Sequence, residues 1–210
     1  MIVCVFSNPP APGRTKTRLI PALGAQGAAD LARAMLLDTL EVARSLRDAE
    51  VVLATAAPMP TSLPLPDAIP LWTQGEGDLG ARQERMLRRA LRHGGTAMLI
   101  GTDLPGLPLE RLEQGAKALR SADAVLGPAE DGGFYLIGLT RCPRGLLADL
   151  PWSSPETFTA TRDRLQERGL NTATIAPWFD LDTPEDLQRV REKIEAGTIH
   201  APHLANALNL

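Results

Sequence analysis

Two features of this sequence predict a layered α/β domain with a mostly parallel sheet. Short apolar runs rich in β-branched residues alternate with longer segments of helical periodicity. The length, 210 residues of which 44% are hydrophobic, suits one domain spanning residues 1–210 with a sizeable core. Strands are expected at Ile2 to Phe6, Val51 to Thr55, Ala97 to Ile100, Ala124 to Leu126, Phe134 to Leu139 and Thr172 to Ile175. Between the first two, Leu31, Met35, Val42 and Leu46 recur at helical spacings and predict a helix from about Gln26 to Asp48 that packs on the sheet. Further helices are expected over Leu79 to Arg92, Leu109 to Ser121, Pro155 to Arg168 and Pro184 to Ala196. The last has Thr183 as N-cap, Pro184 at its first position and acidic residues in its first turn. The Pro-rich stretch from Pro58 to Pro70 reads as a surface connection.

Composition removes several function classes. Charged residues make up 22% with mixed signs and a formal net charge of −3, which fits neither a disordered chain nor a basic nucleic-acid binder. No apolar run is long enough to span a bilayer, and the N-terminus lacks the pattern of a signal peptide, so a cytoplasmic protein is expected. Two cysteines, Cys4 and Cys142, are too few for a disulfide framework or a zinc site and read as reduced thiols. The 22 basic residues include only three lysines, Lys16, Lys117 and Lys193, which makes the position of each informative.

Five segments carry candidate chemistry. The loop after the first strand contains Pro12, Gly13, Arg14, Lys16 and Arg18, placing three cations within five residues at a sheet edge. Backbone N–H groups of such a loop can meet phosphate oxygens, Lys supplies a compact charge and Arg a fork; a solvated basic turn is the alternative. Ligands of open α/β sheets sit beyond the carboxyl ends of the strands, which favours phosphate. The strand ending in Gly101-Thr102-Asp103 delivers a carboxylate to the same edge, a candidate Mg²⁺ or Mn²⁺ ligand or else a turn cap. Asp131, Gly132 and Gly133 precede Phe134 and Tyr135; they permit close approach of a ligand, or form an ordinary hairpin turn. Asp180 and Asp182, two apart in an extended segment, project to one side and could reach one metal, with helix capping as the competing role. Glu185 and Asp186 are expected to serve the helix N-terminus. The Gly-rich segment from Gln74 to Arg82, with Gly77, Asp78 and Gly80, opens a helix that could touch a base, sugar or phosphate at its N-terminus, with a plain loop and Asp78 as N-cap as the alternative. The histidines, His93, His200 and His203, have no partner at ligand or triad spacing and receive no role.

Taken in order, Pro12-Gly13 with Lys16-Thr17-Arg18-Leu19, Gly77-Asp78-Leu79-Gly80, Gly101-Thr102-Asp103-Leu104-Pro105, the segment from Gly127 to Leu139, and Asp180-Leu181-Asp182-Thr183-Pro184 resemble the GT-A-like nucleotide-diphospho-sugar transferase superfamily. Within it the chain is most similar to the rSAM/selenodomain-associated transferases, over about residues 2 to 190. The resemblance implies a three-layer α/β/α fold with a nucleotide at the N-terminal half of the sheet and a divalent metal on its phosphates. Phospholactate guanylyltransferases look similar at the Lys-Thr-Arg-Leu segment, the strand-end aspartate and the Asp-x-Asp, and by that match Asp103, Asp180 and Asp182 form the metal set. Two departures are Asn8, where many relatives look to have lysine, and Phe134, where tyrosine is usual.

The expected activity is metal-dependent transfer from an activated nucleotide donor to a small-molecule acceptor, with Mg²⁺ or Mn²⁺ as cofactor. Nucleotide contacts are expected from Pro12, Gly13, Arg14, Lys16, Arg18, Gly77, Asp78 and Gly80, and acceptor contacts from Gly132, Gly133 and Tyr135. Lys16 and Arg18 would neutralise phosphate, and Asp131 would act as general base. Glycosyl transfer stands first and nucleotidyl transfer second; a non-catalytic nucleotide-binding protein is the reading from another class.

Overall fold

A computed structural model of the chain describes residues 1–66 and 68–210. The elements run β1 (Ile2–Ser7), a 3-10 turn (Thr17–Leu19), α1 (Ile20–Arg44), β2 (Glu50–Thr55), β3 (Leu71–Thr73), α2 (Leu79–Gly94), β4 (Ala97–Ile100), α3 (Leu109–Ala118), β5 (Ala124–Pro128), β6 (Phe134–Leu139), α4 (Thr157–Glu167), β7 (Thr172–Thr174), α5 (Pro184–Glu195) and α6 (Pro202–Leu208). Seven strands form one sheet in the order β3-β2-β1-β4-β6-β5-β7. All pairs are parallel except those of β6, which is antiparallel to β4 and β5. The turn from Ala129 to Gly133 therefore joins a hairpin, closed by Ala129 N–H on the Gly133 carbonyl at 3.0 Å.

Alternation along β1 builds the layers. Ile2 and Cys4 face a core shared with Met86, Leu87 and Ala90 of α2 and Leu165 of α4. Val3 and Val5 face Leu36, Leu37 and Leu40 of α1 and Leu112 of α3. Both faces of the strand are thus covered, which is why it reads as an unbroken apolar run. This three-layer α/β/α arrangement is the GT-A-like fold that the sequence predicts. A third cluster, with Leu19, Met35, Leu181, Leu187 and Leu204, docks α5 and α6 onto α1. No helix among the described residues is long and apolar enough to cross a membrane.

The elements differ from the sequence expectation at their edges. α1 begins at Ile20, six residues early, because a turn carrying Pro21 is joined to the main helix across a kink at Gly24, whose φ of 70° lies outside the helical region. β3 is a three-residue edge strand with Leu71 and Thr73 exposed, too short to show a periodic signal. α6 was not expected either. Asp38 of α1 holds it by accepting the N–H groups of His203 and Leu204, each at 3.0 Å, and Glu41 meets His203 Nε2 at 2.8 Å. The histidine without a sequence-local partner thus finds two acidic ones on α1.

Helix α5 starts as expected, with a reciprocal cap: Thr183 Oγ1 accepts the Asp186 N–H at 3.2 Å while Asp186 Oδ2 accepts from Thr183 N and Asp182 N at 2.8 and 3.1 Å. Burial works to raise the Asp186 pKa, but the hydrogen bonds from Thr183 and Asp182 outweigh it and hold the carboxyl below its ordinary 3.8. A lowered carboxyl pKa gives stabilisation that is complete above that ordinary value and is lost as the pH falls through the lowered one. Accordingly, Asp186→Ala is expected to cost about 1 kcal/mol in urea unfolding at pH 7, with the difference from the unsubstituted protein shrinking towards pH 3.

Candidate active site

The carboxyl ends of β1 and β4 open into a cleft of about 750 Å³. Arg14, Lys16 and Arg18 line it from the β1 loop, Asp103 from the β4 end, Asp131 and Gly133 from the hairpin, and Asp180 and Asp182 from the segment before α5. The chain brings the two acidic segments together through its backbone: Leu181 N–H donates to the Asp103 carbonyl at 3.0 Å. Leu181 is fully buried in the α1, α5 and α6 cluster, which leaves Asp180 and Asp182 on its flanks available to the cleft.

Lys16 lies among these carboxylates. Its Nζ donates to Asp182 Oδ1 at 2.7 Å and is ion-paired with Asp103, and its side chain is only 6% exposed. The residue adopts a left-handed backbone, φ 47° and ψ 45°, which turns it out of the loop at the start of the 3-10 turn. Burial alone would lower the lysine pKa, but Asp103 and Asp182 outweigh that and hold it above its ordinary value. Arg14 and Arg18 stay exposed on the cleft wall.

Asp180 has the opposite situation. Its Oδ2 is buried without a hydrogen-bond partner among the described residues. Burial first, then the nearby carboxylates of Asp131, Asp103 and Asp182, push its pKa up to about 7 against the pull of Lys16. A buried carboxylate oxygen that is unpartnered, next to further carboxylates, is unfavourable unless a cation joins it. The donor set of Asp103, Asp180 and Asp182 consists of hard oxygens, the kind that Mg²⁺ and Mn²⁺ take, but among the described residues the group whose ligand atoms all lie within 4.8 Å of one another is Asp38, Glu41 and His203, not these three.

Not all residues singled out in the sequence reach the cleft. Tyr135 lies on the other face of the sheet, 3% exposed in the core against α1 and α3, with its hydroxyl donated to the Ala176 carbonyl at 2.9 Å. Phe134, one residue earlier, takes the cleft-facing position and packs edge-on to Trp152 with ring centroids 6.0 Å apart. Asp78 is the N-cap of α2, accepting Ala81 N–H at 2.7 Å. Gly80 is required for packing, since a Cβ there would stand 2.2 Å from the Leu147 carbonyl oxygen. Gly132 packs likewise, a Cβ falling 2.3 Å from the Pro155 oxygen. Pro12 and Gly13 form the exposed turn before Arg14, closed by Arg14 N–H on the Ala11 carbonyl at 3.1 Å, and neither they nor Gly77 line the cleft. Asp131 does line it, and its Oδ1 accepts Gly133 N–H at 2.8 Å across the hairpin turn. The hairpin is clamped to α5 by the Glu130–Arg189 fork, at 2.6 and 3.0 Å.

The far wall is formed by Arg82, the last residue of the Gly-rich segment singled out in the sequence, and by residues without a sequence signal of their own. Arg82 and Gln83 of α2 line the cleft, as do Trp152, Ser153 and Ser154. The scarcity of tryptophan, three in the chain, is the one composition clue that could have drawn attention to Trp152.

Residues 39–154 match the profile of a family described as an uncharacterized protein conserved in bacteria (DUF2064), and the chain belongs to that family. No curated protein matches it by sequence. A protein of Desulfovibrio desulfuricans G20, provisionally described as a nucleotide-diphospho-sugar transferase, is similar at TM-score 0.87 and 28% identity, over 99% of this chain and 93% of that one. A CMP-2-keto-3-deoxy-manno-octonic acid synthetase complexed with CTP shares the fold at TM-score 0.60 and 14% identity, over 93% and 98% of the two chains. So does the glucosyl-3-phosphoglycerate synthase of Mycobacterium tuberculosis, in complex with Mn²⁺, UDP and phosphoglyceric acid, at TM-score 0.55 and 11% identity, over 98% and 77%. These neighbours agree with the superfamily resemblance carried by the sequence motifs.

Asp180 separates a stability cost from a function. Replacing its strained carboxylate by a neutral amide in Asp180→Asn is expected to raise the melting temperature of the metal-free protein at pH 8 by about 2–4 °C, the change that ~1 kcal/mol produces in a chain of this size. The same variant is expected to lose any Mn²⁺ binding that the unsubstituted protein shows in a calorimetric titration. A lowered melting temperature with Mn²⁺ binding intact would assign Asp180 a purely structural role.

Proposed function

We propose that this chain is a divalent-metal-dependent transferase acting on an activated nucleotide donor, with glycosyl transfer from a nucleotide-diphospho-sugar as its reaction. The observation that carries the reading is the cleft itself, where Asp103, Asp180 and Asp182 stand beside Lys16, Arg14 and Arg18 at the carboxyl ends of β1 and β4. Carboxylates and cations in one cleft suit a ligand that is itself a polyanion with a bound cation.

Asp103, Asp180 and Asp182 would hold Mg²⁺ or Mn²⁺, which when bound offsets charge on the donor phosphates and on the departing nucleoside diphosphate. Lys16 and Arg18 contribute positive charge to the same oxygens from the loop side. The acceptor hydroxyl approaches over the hairpin tip and gives its proton to Asp131, whose carboxylate is oriented by the Gly133 N–H and exposed to the cleft. The new bond joins acceptor oxygen to the anomeric carbon as the sugar–phosphate bond breaks. Phe134 and Trp152 form an apolar wall next to this position.

Nucleotidyl transfer is the second reading, favoured by the cluster of three cations directly after β1 and by the fold shared with a CTP-bound synthetase. There the same charges would stabilise attack on the α-phosphorus of a nucleoside triphosphate. Incubation with panels of nucleotide sugars and nucleoside triphosphates separates the two: nucleoside diphosphate release is the expected product, pyrophosphate release supports the second reading, and neither product with any donor contradicts both.

Lys16 has a second, diagnostic consequence. In the metal-free protein its ammonium neutralises two of the three candidate ligands, so metal binding must work against it. Lys16→Met is expected to tighten Mn²⁺ binding in the absence of nucleotide by about tenfold, or ~1.4 kcal/mol, while weakening nucleoside diphosphates much more than the free nucleoside. Equal weakening of nucleoside and nucleoside diphosphate would make the lysine merely structural.

A further inference from the structure

A fourth cation lines the cleft beside the three of the β1 loop, and its surroundings fix its direction. Arg82 on the first turn of α2 lines the cleft, with its guanidinium 5.9 Å from the Phe6 ring centroid. One terminal nitrogen donates to Gln74 Oε1 at 2.8 Å. Its Nε is buried and has no hydrogen-bond partner, and no carboxylate pairs with the guanidinium among the described residues. With one terminal nitrogen held by Gln74 and the Nε enclosed, the donor left for a ligand is the other terminal nitrogen, on a guanidinium that no carboxylate neutralises.

Gln74 fixes this orientation. It is fully buried just past β3, and its amide nitrogen donates to the Ser7 and Ala54 carbonyls at 2.9 and 3.0 Å. Both of its amide hydrogens are thus committed to the ends of β1 and β2, which leaves the oxygen to face Arg82. The Gln74 backbone is fixed as well, its N–H on the Thr55 carbonyl at 2.9 Å and its carbonyl held by Arg85. Next to Arg82, the nine-tenths buried Gln83 also presents an unpartnered Oε1 in the cleft wall.

We infer that Arg82, aimed by Gln74, is an oxyanion-binding residue that takes a phosphate or carboxylate group of a substrate on the α2 side of the cleft. The inference deepens the transferase reading and rests on it for the identity of the ligand, though not for the chemistry of the site. Two sources share that chemistry: the phosphates of the nucleotide donor, and an anionic group on the acceptor. Gln74 is a positioning residue, since it acts through Arg82.

The test is a set of metal-free calorimetric titrations of the full chain with inorganic pyrophosphate, a nucleoside diphosphate, the matching nucleoside and glycerol phosphate. Arg82→Gln is expected to weaken the anions it contacts at least about tenfold, with nucleoside binding unchanged and with a shallower dependence on ionic strength. Arg82→Lys retains the charge and is expected to recover part of the loss. Gln74→Leu should weaken the same anions while leaving the ionic-strength slope near that of the unsubstituted protein, because the charge is still present. A loss confined to pyrophosphate and nucleoside diphosphate assigns the site to the donor, and one confined to glycerol phosphate assigns it to the acceptor. Unchanged anion binding in a folded Arg82→Gln protein, or an equal loss for nucleoside and anions, overturns the inference. The transferase reading fails separately, by absence of product from every donor, and the pyrophosphate titration remains decisive for Arg82 in that case.

Discussion

The ammonium of Lys16 lies between the carboxylates of Asp103 and Asp182, and the organisation of the cleft depends on that contact. Four carboxylates share one sheet edge, and Asp180, whose pKa is raised first by burial and then by its three acidic neighbours, also keeps an unpartnered oxygen. A single buried lysine relieves two of them. The arrangement is electrostatically incomplete: the lysine leaves the buried Asp180 oxygen without a partner, and under the proposed function a divalent cation would join it.

The fold supplies the convergence. Asp103 follows a buried central strand, and the Leu181 N–H to Asp103 carbonyl bond ties the Asp-x-Asp segment to that strand's end. The α5 cap takes the Asp182 backbone N–H, and the Glu130–Arg189 fork fixes the hairpin that carries Asp131. The segments that carry these carboxylates are thus held to one another by backbone and ion-pair contacts between elements, while the Asp180 carboxylate itself keeps an oxygen without a partner among the described residues. On the α2 side Gln74 does the same for Arg82, joining the ends of β1 and β2 to the helix.

Much of this was legible in the sequence, for physical reasons that differ by element. The central strands are visible because burial on both faces forces unbroken apolar runs, and α5 because its cap is written in adjacent residues. The Asp-x-Asp pair was legible from the two-residue period of extended chain. That same alternation, applied from Phe134, puts Tyr135 on the opposite face, where the structure buries it. β3 and α6 were not legible: one is a three-residue edge, and the other depends on Asp38, 165 residues from His203. The Gln74 and Arg82 relay escaped for the same reason, since Gln74 finds its carbonyl partner on Ser7 at a separation of 67 residues. Gly80 and Asp78 looked like ligand contacts because packing and capping favour the same residue types as phosphate binding does.

Under the proposed function Asp103, Asp180 and Asp182 form a cation site whose counter-ion in the metal-free protein is Lys16. A crystal structure of the protein with Mn²⁺ and a nucleoside diphosphate, with the ion located by its anomalous scattering, tests this most directly. The expected result is one ion in contact with all three carboxylates, with Lys16 withdrawn from Asp103 and Asp182 onto a phosphate oxygen. An ion bound elsewhere, such as at Asp38, Glu41 and His203, with Lys16 still between its two carboxylates, would contradict it.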